Sequence, residues 1–86
     1  MHTVEILQQA LDLATRLGFG VRQEWLGGSG GGGCELNGRK LFFLDLALDP
    51  GEQLDQLLQV LRYEPEAAQL PMPRELRELL RPRKSA

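Results

Sequence analysis

The sequence predicts a small α+β fold. We expect an N-terminal helix, a small antiparallel sheet of three strands that includes an Asn-Gly hairpin, helices over that sheet, and a short C-terminal helix. Three observations predict it. Apolar residues recur with helical spacing in two separate stretches, an Asn-Gly pair sits between strand-like runs, and 86 residues suffice for one core but not for a second lobe.

The first helix follows from Val4, Leu7, Ala10, Leu11, Ala14 and Leu17, which share one face of a 3.6-residue period, while Glu5, Gln8, Gln9, Asp12 and Arg16 share the other. It is expected at about residues 4–17. Thr3 is the expected cap, Glu5 suits the positive end of the helix dipole and Arg16 the negative end, and Gly18 offers the left-handed residue that ends many helices.

Val21 to Leu26 loses that period and reads as a strand, with Val21, Gln23 and Trp25 on one face and Trp25 expected in the core. Gly27, Gly28, Ser29 and the glycines through Gly33 follow, where the backbone entropy lost on ordering is greatest. This stretch reads as a loop. Cys34 to Leu36 and Arg39 to Leu46 then flank Asn37-Gly38, a pair suited to the two positive φ angles of a type I′ hairpin turn. Leu41-Phe42-Phe43-Leu44 is apolar on both faces. That suits a central strand, either covered on both sides or covered on one and meeting a partner on the other.

Asp49-Pro50-Gly51-Glu52 carries an Asp cap, a proline at the first helical position and a glutamate three residues after the cap, a capping-box arrangement. Leu54, Leu57, Leu58 and Leu61 continue it as an amphipathic helix that stops before Pro65. Pro71-Met72-Pro73 reads as an extended spacer. Arg74 to Leu80 reads as a short helix burying Leu76, Leu79 and Leu80. Residues 1–80 are thus expected as a single domain and 81–86 as a flexible basic tail.

Composition narrows the function classes. Ten basic against twelve acidic residues leave a net charge of −2, which provides no field to draw in nucleic acid. One Cys and one His cannot build a disulfide framework or an all-nitrogen and sulfur zinc site, so neither metal nor other cofactor is expected. No apolar run reaches the ~20 residues that cross a bilayer. The expected location is the cytoplasm. Residues 74–86 hold five basic and two acidic side chains, the rest five basic and ten acidic, an asymmetry that suits either a tail docking on an acidic surface or a plainly solvated one.

Three features could carry chemistry. Gly30, Gly31, Gly32 and Gly33 offer consecutive amides that could cradle an anion. Phosphate loops, however, run from a strand into a helix and the common nucleotide version needs Lys followed by Ser or Thr, whereas this one runs between strands and its next cation is Arg39. The plainer reading is a long mobile connection, or a place where another backbone approaches too closely for a Cβ. Cys34 follows the glycines, but a reactive thiolate needs a base or cation beside it, and the only imidazole, His2, lies at the far end of the chain. A small buried residue is the plainer reading. Asp45 interrupts an apolar strand, and a buried Asp must be paired or titrate upward. Its plainer reading is a side chain that faces solvent or accepts amides in the loop before the next helix.

Leu17-Gly18-Phe19, Leu26-Gly27-Gly28, the glycine approach to Cys34, Gly38-Arg39-Lys40, the apolar strand ending in Asp45, Glu52-Gln53-Leu54 and Leu70-Pro71-x-Pro73 together resemble a family of small uncharacterised bacterial proteins of about this length. The resemblance covers most of the chain and implies a shared fold. The hairpin-then-helix order is also similar to the scaffold of ImmA/IrrE-like zinc peptidases. Here, though, the helix from Glu52 to Leu61 holds no His and so lacks HExxH. The expected function is a noncatalytic domain acting through self-association or contact with another protein, most simply as a homodimer. Two alternatives stay open: a thiol-dependent or degenerate peptidase-like protein centred on Cys34 and the glycine loop, and a peptide- or anion-binding module using that loop.

Overall fold

A computed structural model describes residues 2–29 and 31–81. Helix α1 (Thr3–Arg16) leads into β1 (Gly20–Glu24), β2 (Gly32–Leu36) and β3 (Arg39–Asp45). Helix α2 (Pro50–Leu61), a 3₁₀ turn over Pro65–Gln69 and helix α3 (Arg74–Leu80) complete the chain. This is the expected α+β fold with the expected hairpin. Gly30 and residues 82–86, which hold most of the expected basic tail, lie outside the described residues.

Local chemistry sets the helix boundaries. His2, not Thr3, occupies the cap position of α1 and makes no side-chain cap bond there, so the expected Thr3 cap is absent. At the other end Gly18 takes φ 96°, its N–H donates to the Thr15 carbonyl and that of Phe19 to the Ala14 carbonyl. This pair of bonds is a Schellman closure. In α2 the capping box forms as expected: the Glu52 N–H donates to Asp49 Oδ1 at 2.8 Å and the Asp49 N–H to Glu52 Oε1 at 3.1 Å. Asn37 and Gly38 adopt φ 54° and 77°, the two positive values a type I′ turn requires.

The sheet order is β1-β3-β2, with β2 antiparallel and β1 parallel to β3. The sheet is therefore mixed, not all antiparallel as expected. Its cause is that β1 and β2, consecutive in the chain, are separated by β3. The glycine segment leaves β1 at the end where β3 terminates, crosses over that end and enters β2 from there, a span of two inter-strand spacings, about 10 Å.

Helices α1 and α2 cover one face. Phe42 (0% exposed) and Leu44 point into a core with Ile6, Leu7, Ala10, Leu13 and Ala14 of α1 and Leu54, Leu57, Leu58 and Leu61 of α2. Full burial of a side chain such as Phe42 stabilises by about 1.5–3 kcal/mol. Gly33 keeps α2 close to the sheet, since a Cβ there would lie 3.2 Å from both Val60 methyls. Of the α3 leucines, Leu76 is buried and Leu80 partly so, but Leu79 remains exposed, contrary to expectation. Arginines bind the C-terminal segment to the body: Arg16 donates to the Pro71 carbonyl, Arg62 to that of Leu79, and Arg77 to those of Ala68 and Leu70.

Candidate functional site

The end of β3 is where the fold concentrates its polar chemistry. Asp45 is fully buried. Its Oδ1 accepts the N–H of Leu26 at 3.0 Å and of Ala47 at 2.9 Å, and its Oδ2 accepts the N–H of Gly28 at 3.0 Å. Gly27 and Gly28 make this possible by taking φ 69° and 82°, values that curl the chain so that amides converge on one anion. Hydrogen bonds to a charged acceptor are worth about 1.5–3 kcal/mol each. The glycine loop is thus an anion cradle whose anion is a side chain of the same molecule.

Other contacts hold the cradle down. The Asp45 carbonyl accepts Gln53 Nε2 at 2.9 Å, from the buried face of α2. The Gly31 N–H donates to Gln56 Oε1 at 3.3 Å. Gly31 itself presses on β3 so tightly that a Cβ would fall 1.7 Å from the Phe43 carbonyl oxygen. Close backbone approach, one of the two plain readings of the glycines, is what the structure shows at Gly31. Asp45 does not face solvent, although acceptance of an amide in the loop before α2 is as expected. Its partners Leu26 and Gly28 come from the other side of β3 and carry no local sequence signal.

The remaining candidates disperse. Gly32 has φ 125° and opens β2, Gly33 faces α2, and Gly30 lies outside the described residues. Cys34 is exposed, not buried as expected. Because Gly33 and its register partner Phe42 face the helices, Cys34 and its partner Leu41 face the other way. Cys34 pairs four residues before Asp45 along β3, so thiol and carboxylate do not converge. His2 is no help to it, since its Nε2 lies 3.1 Å from Glu75 Oε2, where it joins α1 to α3. Arg39 is exposed at the start of β3, opposite Leu36. Among the described residues no three of His, Cys, Asp and Glu are grouped to hold a metal ion, and no helix is long and apolar enough to cross a membrane.

Lys40 sits at the opposite end of β3 from Asp45. Its Nζ donates to Glu64 Oε1 at 2.7 Å and lies 5.4 Å from the centre of the Phe19 ring. The hydrogen bond and charge of Glu64 push its pKa above the ordinary lysine value.

What the helices leave uncovered is the other face of the sheet. It carries Leu36 (59% exposed), the half-buried Leu41 and Phe43, Cys34, and the charged pair Arg22 and Glu24. Gly20, Arg22, Leu36, Arg39 and Leu41 border a hollow of about 430 Å³ on it. Trp25, expected in the core, is 73% exposed because β1 ends at Glu24 and the tryptophan lies just beyond the sheet, where the glycine strap begins. Sequence reasoning did not single out Leu36 or Arg22, although alternation along each strand is a signal that could have found them. Comparison of the chain with family models, with curated proteins and with solved structures returns no match.

Proposed function

We propose that this chain is a small noncatalytic bacterial domain that acts through protein contact in the cytoplasm, assembling with a second copy of itself. One observation carries this reading: the helices close only one side of the sheet, leaving Leu36, Leu41 and Phe43 on the other, while the outer edge of β1 stays unpaired and Trp25 lies exposed just beyond it. A chain this small has little core to spare, and burying such surface against a second copy is a common remedy. The polar groups that could suggest chemistry are engaged in holding the fold, Asp45 by the strap and His2 by Glu75. Light scattering from low to high micromolar concentration tests the proposal. Twice the monomer mass supports it, and monomer mass throughout overturns it.

The exposure of Cys34 favours a second reading, in which the domain works through its thiol. That reading requires Cys34 to react with a thiol probe at neutral pH much faster than a cysteine in an unstructured peptide. An ordinary rate removes it.

A further inference from the structure

Within the self-association just proposed, on which this inference rests, we infer that two copies join through β1, edge to edge and antiparallel, with a two-fold axis at Gln23. Strand β1 is bonded to β3 on one side only. The Glu24 carbonyl accepts the Leu46 N–H at 2.9 Å, so Glu24 turns its backbone inward toward β3. By the alternation of strand hydrogen bonding, Arg22 does the same, while Val21 and Gln23 turn their N–H and carbonyl groups outward. Such a row is a template for another strand, and nothing among the described residues pairs with it.

The side chains select both the partner and the register. An antiparallel pair centred on Gln23 sets Arg22 of each copy opposite Glu24 of the other, and Val21 opposite Trp25. Cβ atoms of directly opposed residues lie about 4.5–5.5 Å apart. Both charge pairs then become attractive and both apolar pairs join a β-branched residue to an aromatic one. Shifting the centre by one residue either way would oppose Arg22 to Arg22 or Glu24 to Glu24, which is repulsive. The pattern Val-Arg-Gln-Glu-Trp therefore reads as complementary to its own reverse. Gln23 meets Gln23 at the axis with outward backbone groups, a pair that exchanges both its main-chain hydrogen bonds. The product is a six-stranded sheet with order β2-β3-β1-β1-β3-β2, all helices on one side and the apolar patches of both copies continuous on the other.

Charge reversal gives the test. Arg22→Glu and Glu24→Arg are each made alone, their folding is checked by thermal melting, and their self-association is measured by sedimentation. Each variant alone should dimerise at least tenfold more weakly than the unchanged chain, because each opposes like charges across the axis. A one-to-one mixture should recover the original affinity, since the two variants complement each other. Gln23→Pro, which removes an outward N–H that β3 does not use, should also abolish the dimer while leaving the monomer folded. A dimer insensitive to all three changes, or single variants that the mixture does not restore, overturns the edge pairing and leaves self-association standing through the open face. A monomeric unchanged chain overturns both.

Discussion

The two connections at the ends of β3 perform opposite tasks with the same kind of residue. At one end Asn37 and Gly38 turn the chain within two residues, joining strands that are already neighbours. At the other, the segment that begins at Trp25 and reaches β2 through Gly31 joins strands that are not. Both need positive φ, but the turn is held by its own backbone geometry, whereas the strap is held by a carboxylate that arrives from β3. A short turn stores its instructions locally. A long strap must be given a partner from elsewhere, or its glycines would cost more entropy than they return.

The strap is most vulnerable at Asp45. Asp45→Ala removes the acceptor for the Leu26, Gly28 and Ala47 amides and leaves three partly buried donors without it, at up to about 1–3 kcal/mol each. A total loss of about 4 kcal/mol by urea denaturation is expected, a large part of the stability of a domain this size. A loss under about 1 kcal/mol would mean the strap is held by something other than the carboxylate.

Glycine substitutions sharpen the contrast between the two connections. Gly31→Ala forces a Cβ into the Phe43 carbonyl and displaces backbone, with an expected cost of about 2–3 kcal/mol. Gly38→Ala meets no atom within 4 Å and suffers only from its φ of 77°, so about 1 kcal/mol is expected. If the order were reversed in chemical denaturation, the strap would not be pressed against β3 as described.

The smallest effect belongs to Lys40, whose partner Glu64 raises its pKa above 10.5 in the folded state. A raised lysine pKa means the stabilisation is fully present below the unfolded value and lost as pH climbs through the folded one. The stability difference between the unchanged chain and Lys40→Met should therefore stay level through neutral and mildly alkaline pH and shrink only above about 10.5. It should also weaken with salt, because the pair is partly exposed. A difference that instead grew with alkaline pH would contradict the sign.

Much of this molecule was legible along the chain. The apolar period from Val4 to Leu17, the Asn37-Gly38 turn, and the Asp49 and Glu52 capping box each specify a conformation that closes within a few residues, so the sequence alone determines them. Tertiary structure decided the rest. It exposed Trp25 and Cys34 by placing them beyond or at the edge of the sheet, ran β1 parallel to β3, and delivered Asp45 to the amides of Leu26 and Gly28. Strand neighbours are chosen by contacts between residues some twenty positions apart, such as Val21 and Phe42. No period or turn motif records that choice, because the free energy favouring it appears only when both strands meet the same pair of helices.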